Sequence, residues 1–162
     1  MLMTTLGRVL AVDANCQAVI TGSGERVLHT LLAKLPDGVR SRISISGRVD
    51  HEKLVGHYRE SLAIFFPSRY EGFPNSAVEA LSSGCSVVGP SIIASMNYCT
   101  MPACGTVACR RTPEDLADAL LAELASWDRG ERRPDQFSVW WQQKAWAPNV
   151  ARHLLQTIER CR

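Results

Sequence analysis

The sequence predicts a doubly wound α/β fold built on a mostly parallel sheet. Three observations predict it. Short, continuous apolar runs alternate with amphipathic helical patterns, glycine or proline turns punctuate them, and the 162 residues suit one ordinary domain. Strands that are apolar throughout, rather than at every second residue, belong to a sheet covered on both faces. Right-handed crossovers follow, and ligands of such sheets sit outside the carboxyl ends of the strands.

The elements follow in order. Leu6 to Asp13 carries Leu6, Val9, Leu10 and Val12 on one helical face. Ala18–Thr21 (AVIT) is a short strand stopped by Gly22-Ser23-Gly24. Glu25 to Leu35 is helical, and Pro36-Asp37-Gly38 is a turn. Arg42–Ser46 (RISIS) is a strand ending at Gly47, and His51 to Glu60 is a helix that Asp50 can cap. Leu62–Pro67 (LAIFFP) is the most apolar strand. Ser76 to Ser83 is a short helix stopped by Gly84, and Cys85–Gly89 (CSVVG) is the next strand. Residues 90–104 read as irregular or partly helical, and Gly105–Cys109 (GTVAC) as the last strand. Pro113 to Trp127 is an amphipathic helix opened by Thr112 and Pro113. Arg129 to Asp135 is a charged linker, and Val139 to Cys161 a helical tail broken at Pro148.

Composition narrows the class. Hydrophobic residues make up 46% and charged residues 21%, which is globular rather than disordered. A net charge of +2 is too small to indicate nucleic acid or an anionic membrane surface. No segment approaches the roughly 18 apolar residues of a transmembrane helix. MLMTTLGRVL lacks the pattern of a signal peptide, so a cytoplasmic location is expected. Of six cysteines, Cys99, Cys104 and Cys109 recur every five residues. No histidine joins them and the spacing is wide for zinc, so buried, reduced thiols and no metal are expected.

The most unusual stretch is PSRYEGFPNSAVEALSSGCSVVGPS, Pro67 to Ser91. A strand ends, an aromatic loop with glycine and proline follows, and the chain enters a helix whose free N–H groups suit a phosphate. Glu71 sits at the loop mouth and Glu79 in the first turn of the expected helix. Two readings of the pair stand on residues alone. Ser76-Ala77-Val78-Glu79 fits a capping box with Glu71 a solvated carboxylate, or the two glutamates face a ligand.

This segment resembles the signature of the family 4 retaining glycosyltransferases of the GT-B fold, two glutamates separated by seven residues. PSRYEGFPN before the helix, EALSSG along it and SVVG after it agree. So do AVITGSGE, RISISGRVDHEKLVGHYRESLAIFFPSR and GTVACRRTPEDLADALLAEL, and the resemblance covers roughly residues 5 to 125. It implies the C-terminal, nucleotide-sugar-binding half of such an enzyme. Residues 1–128 would form the Rossmann-like domain, and 129–162 a linker and tail packing on it. By resemblance, Glu71 holds donor-sugar hydroxyls and is the catalytic residue, and Glu79 holds the ribose hydroxyls. Backbone around Gly72, Phe73, Pro74 and Asn75 borders the sugar, though Pro74 has no amide hydrogen. Helix amides near Ser76 and Ala77 receive the diphosphate. Gly22 and Gly24 let the backbone approach the donor, and the turn at Gly47-Arg48 lies near the base. The implied reaction moves a sugar from a nucleoside-diphosphate sugar to an acceptor hydroxyl with retention. Fixed dipoles and basic side chains, with no metal cofactor, stabilise the leaving diphosphate.

Three departures accompany the resemblance. The family's N-terminal, acceptor-binding half is not matched. Its opening strand and basic loop, which bring an Arg and a Lys to the diphosphate, are not matched either, and Arg8 does not fit that motif. PSIIASMNYC follows the strand where the family has a glycine-rich turn and a further glutamate. The chain alone is therefore expected to be inactive and to lack the first, central strand of its sheet. Direct pairing of the flanking strands, a segment from another chain, or poor stability with self-association through the open edge would compensate. The alternative is a degenerate module that binds a nucleotide sugar, or serves through packing, without catalysis.

Other patterns carry less. Gly22-Ser23-Gly24 could open a dinucleotide fingerprint, but Val27 stands where its third small residue belongs. No Walker loop or GxSxG elbow occurs. His29, His51, His57 and His153 are scattered. Trp140, Trp141 and Trp146 suit packing of a returning helix better than a sugar platform.

Overall fold

The computed structural model describes residues 1–70, 75–91, 104–145 and 148–152. Helix α1 spans Leu2–Val12 and leads to strand β1, Ala18–Thr21. Helix α2 (Glu25–Leu32) and a one-turn helix α3 (Asp37–Arg40) lead to β2, Ile43–Gly47. Helix α4 (His51–Glu60) leads to β3, Ala63–Phe65. After the site loop come α5 (Asn75–Ser82), β4 (Ser86–Pro90), β5 (Gly105–Ala108), α6 (Pro113–Asp128) and α7 (Pro134–Ala145).

Local signals place several ends as read. Asp50 caps α4 by accepting from the Lys53 N–H at 2.7 Å, and Thr112 caps α6 by accepting from Asp115 N–H at 3.2 Å. Elsewhere the ends move. The first helix starts at Leu2, four residues before Leu6, because Met3 and Leu6 both reach the core. The proline turn closes into α3, which buries Val39. Arg42 is not in β2. Its guanidinium donates to the carbonyls of Leu10, Asp13 (2.7 Å) and Cys16 (3.3 Å), capping the C-terminal end of α1 and pinning it to the start of β1. The charged linker is shorter than expected. Pro134 opens α7, which buries Phe137 and Trp141 against Ala77, Leu81 and Val87.

All pairings among the described residues are parallel, and the strands form two sheets, β2-β1 and β3-β4-β5. The mixed α/β, Rossmann-like class is thus the one expected, and residues 2–12 form a helix and not a central strand. Of the three compensations expected, direct pairing of the flanking strands is not the one seen among the described residues, since β1 and β3 lie in different sheets. The two sheets share the core beneath α1. Val9 packs with Val88 and Ala63, Leu10 packs with Ile43 and Ile20, and Phe65 of β3 touches both groups.

The C-terminal half holds a buried ion pair. Glu123, 0% exposed, accepts from Arg132 Nε at 2.7 Å and from the Thr106 hydroxyl at 2.6 Å. Beside it Trp127 Nε1 donates to Ser86 Oγ at 3.0 Å, and that hydroxyl donates to the Leu62 carbonyl at 2.9 Å. Burial alone would raise the Glu123 carboxyl, but hydrogen bonds from Arg132 and Thr106 outweigh it and hold the group below its ordinary range.

Candidate functional site

The carboxyl ends of β1 and β2 bring the two glycine turns together. Gly22 N–H donates to the Gly47 carbonyl at 2.7 Å. Gly22 and Gly24 adopt φ of 115° and 97°, and a Cβ at either would meet nothing within 4 Å. Their glycines are there for backbone conformation, and the space in front of them is open. Gly47 is different. It is buried at φ 65°, and a Cβ would overlap the Glu25 carboxylate at the start of α2. Arg48, the next residue, is exposed.

The loop after β3 carries the proposed sugar-binding residues, and Glu71, Gly72, Phe73 and Pro74 lie outside the described residues. The helix they lead into is described. It begins at Asn75, one residue before Ser76, so Glu79 is its fifth residue and stands in the second turn. The capping-box reading fails for that reason, because Glu79 stands two residues beyond the third helical position, Ala77, where a carboxylate folds back on the helix start. Glu79 instead faces α4. The buried Tyr58 lies on α4 near Glu79 of α5, and burial first, then the Glu79 charge, push its hydroxyl up to about 12. Tyr58 therefore stays protonated and can donate to a carboxylate. Asn75 is exposed at the helix start, while the Ala77 side chain is 5% exposed and packs into the core, leaving only its backbone to a ligand.

Two residues at this edge escaped the sequence reading. Tyr58 sits within a polar stretch of α4, and only the packing of α4 on α5 reveals its partners. Arg111, just beyond β5, donates from Nε to the Pro67 carbonyl at 2.8 Å and so ties the end of β5 to the start of the glutamate loop. Its position past a strand's carboxyl end was the available signal. Neighbouring Arg110 is taken up by Asp115 at 2.8 Å.

The remaining candidates resolve simply. Trp141 is buried in the core and stacks edge-on to Trp140 at 5.0 Å, which is helix packing; Trp146 lies outside the described residues. Cys16, Cys85 and Cys109 are free thiols, and burial, then the Glu123 charge, push Cys85 up to about 12. Cys99, Cys161 and His153 lie outside the described residues. Among the described residues no helix is long and apolar enough to cross a membrane.

Parallel strands joined by helices, with glycine turns and a helix start at their carboxyl ends, define a Rossmann-like α/β domain. A family model for the group 1 glycosyl transferases matches residues 1–126, and the chain belongs to that family. It is 30% identical over 115 residues to an uncharacterized glycosyltransferase of Methanocaldococcus jannaschii, a match covering 70% of this chain and 29% of that protein. Two solved structures share the fold. WaaG, a glycosyltransferase involved in lipopolysaccharide biosynthesis, matches with a TM-score of 0.65 and 19% identity over 86% of this chain and 36% of its own. Sucrose-phosphate synthase from Thermosynechococcus elongatus matches with a TM-score of 0.70 and 22% identity over 98% of this chain and 42% of its own. The chain is a GT-B glycosyltransferase domain that spans less than half the length of these proteins.

Proposed function

We propose that this domain is the donor-binding half of a retaining, family 4-like glycosyltransferase, which moves a sugar from a nucleoside-diphosphate sugar to an acceptor hydroxyl. The observation that carries the reading is the segment from Glu71 to Glu79, which leads from the carboxyl end of β3 into α5. In this reading Glu71 receives the donor sugar's hydroxyls and the backbone of Gly72, Phe73, Pro74 and Asn75 borders them. Glu79, beside Tyr58, receives the ribose hydroxyls. The first-turn amides of α5, near Ser76 and Ala77, face the diphosphate with the positive end of the helix dipole. Gly22, Gly24, Gly47 and Arg48 border the nucleoside.

The diphosphate departs as an acceptor hydroxyl attacks, and fixed N–H dipoles and basic side chains stabilise the charge without a metal. Arg69 and Arg111, beyond the ends of β3 and β5, are the cations nearest that task by position. An acceptor-binding domain, working in the cytoplasm beside this one, completes the enzyme. The placing of β1 and β3 in different sheets favours a second reading, a degenerate module that binds the donor without transferring it.

Calorimetry with UDP, GDP and ADP and their glucose conjugates tests the reading. Glu79→Ala is expected to weaken nucleotide binding by about 1–3 kcal/mol, the cost of losing a charge-assisted hydrogen bond. Glu71→Gln is expected to weaken the sugar conjugate more than the free diphosphate. Equal losses for both ligands would remove Glu71 from the sugar. The 162-residue chain alone is expected to transfer no sugar above background, since positioning an acceptor can supply up to roughly 7–11 kcal/mol of such a rate. Turnover with retained configuration by the purified chain would overturn that expectation.

A further inference from the structure

The start of α2 carries a carboxylate in an unusual seat. Glu25 is the first residue of α2, directly after Gly24, and its carboxylate fills the place that a side chain at position 47 would take. Gly47 closes β2, and its carbonyl accepts from the Gly22 N–H at 2.7 Å. The carboxylate therefore stands where the carboxyl ends of β1 and β2 meet, the side of such a sheet on which ligands lie. Gly47 is buried, whereas Gly24, Glu25 and Arg48 around it are exposed. A Cβ on Gly22 or Gly24 would meet nothing within 4 Å. The Glu25 carboxylate has backbone beneath it and open space beside it.

Other carboxylates at helix starts are committed to the protein. Asp37 of α3 pairs with Arg40, and Glu114 and Asp115 of α6 pair with Arg8 and Arg110. Among the described residues, no ion pair engages Glu25. A negative charge at a helix start is favourable for the helix dipole alone. The dipole does not require that the side chain fold back onto the end of β2, nor that residue 47 lack a Cβ to admit it.

We propose that Glu25 is a specificity-determining residue that reads the base of the donor nucleotide, and that the base it selects is guanine. This rests on the donor reading above, in which Gly22, Gly24 and Gly47 border the nucleoside. An ionised carboxylate only accepts hydrogen bonds, through two oxygens side by side. Among the common bases, guanine presents two adjacent donors on one edge, N1–H and the 2-amino group, which match those oxygens. Uracil offers its N3–H between two carbonyl oxygens. Adenine and cytosine set one amino group beside a ring nitrogen that is itself an acceptor. Each of these three edges turns at least one acceptor toward the carboxylate, which repels it.

Calorimetry on the 162-residue chain with GDP, UDP, ADP, CDP and inosine diphosphate tests the proposal, with melting temperatures alongside. Inosine diphosphate keeps N1–H and lacks the 2-amino group. GDP is expected to bind at least about tenfold tighter than each of the others, the scale of one bidentate base contact. Glu25→Ala is expected to bring GDP and inosine diphosphate within about twofold of each other, while UDP affinity changes by no more than about twofold. If Glu25→Ala does not fold, Glu25→Gln, which replaces one acceptor with a donor, carries the same expectation. Gly47→Ala keeps the carboxylate but takes its seat, and is expected to narrow the same ratio. Binding of the diphosphates with no preference for GDP overturns the proposal and leaves the donor reading standing. So does a native GDP to inosine diphosphate ratio in the Glu25 variants, even with a lowered melting temperature, because Glu25 then serves only the helix. Failure of every nucleoside diphosphate to bind overturns the donor reading and this proposal together.

Discussion

Strands β4 and β1 are made of similar residues and live in different surroundings. β4 reads SVVGP and every residue is buried; β1 reads AVIT and none is. β4 lies between β3 and β5 and beneath α6, whose Leu116 and Leu120 close over Val88. Among the described residues β1 pairs with β2 alone. The difference teaches that burial of an apolar strand is decided by its neighbours, not by its composition. It also divides the domain into a C-terminal part closed by packing and an internal ion pair, and an N-terminal part held largely by α1 and Arg42.

The largest effect is expected where the closed half is tied together. Glu123→Ala leaves Arg132 in a buried setting without its carboxylate, and should cost about 3–5 kcal/mol of unfolding free energy in urea. The same pair sets a pH dependence. A carboxyl held below the ordinary value of 4.5 adds stability that is fully present above that value and is lost as pH falls through the folded-state pKa. The urea midpoint of the native chain should therefore fall more steeply below about pH 4.5 than that of Glu123→Gln. Parallel acid limbs for the two would remove Glu123 from that loss.

The next effects set the two strands against each other. Val88→Thr puts a hydroxyl into the closed core and should cost about 1–3 kcal/mol. Gly47→Ala should cost about 1–2 kcal/mol, from strain at φ 65° rather than from the Glu25 overlap, since that side chain can swing aside. Thermal melts of the variant with and without Glu25→Ala separate those causes. The smallest effect belongs to the open strand. Val19→Thr should change stability by no more than about 0.5 kcal/mol, because its side chain is already half in water. A Val19→Thr loss as large as that of Val88→Thr would erase the distinction between the halves.

Signals that act over one or two turns were legible in the sequence. Asp50 and Thr112 cap the helices they were expected to cap, the β1 strand has the bounds read for it, and the alternation of strand and helix gave a parallel α/β class. The glutamate segment pointed to a glycosyltransferase, the family the chain belongs to. Where two local signals competed, the reading slipped. The Ser76–Glu79 box lost to a helix beginning at Asn75, and the charged stretch before residue 135 hid the start of α7 at Pro134.

The sequence by itself determined most of the elements, their order along the chain, and the turn glycines whose positive φ few other residues adopt cheaply. Tertiary structure alone decided that Glu79 faces Tyr58, that Glu123 on a helix reads inward to Arg132, and that Arg42 caps a helix instead of extending a strand. It alone decided that two strands of ordinary apolar sequence lie in different sheets. The physical reason is range. Caps and periodicity are set by backbone groups a few residues apart, whereas a charge's partner and a strand's neighbours come from distant parts of the chain and are fixed only when those parts pack.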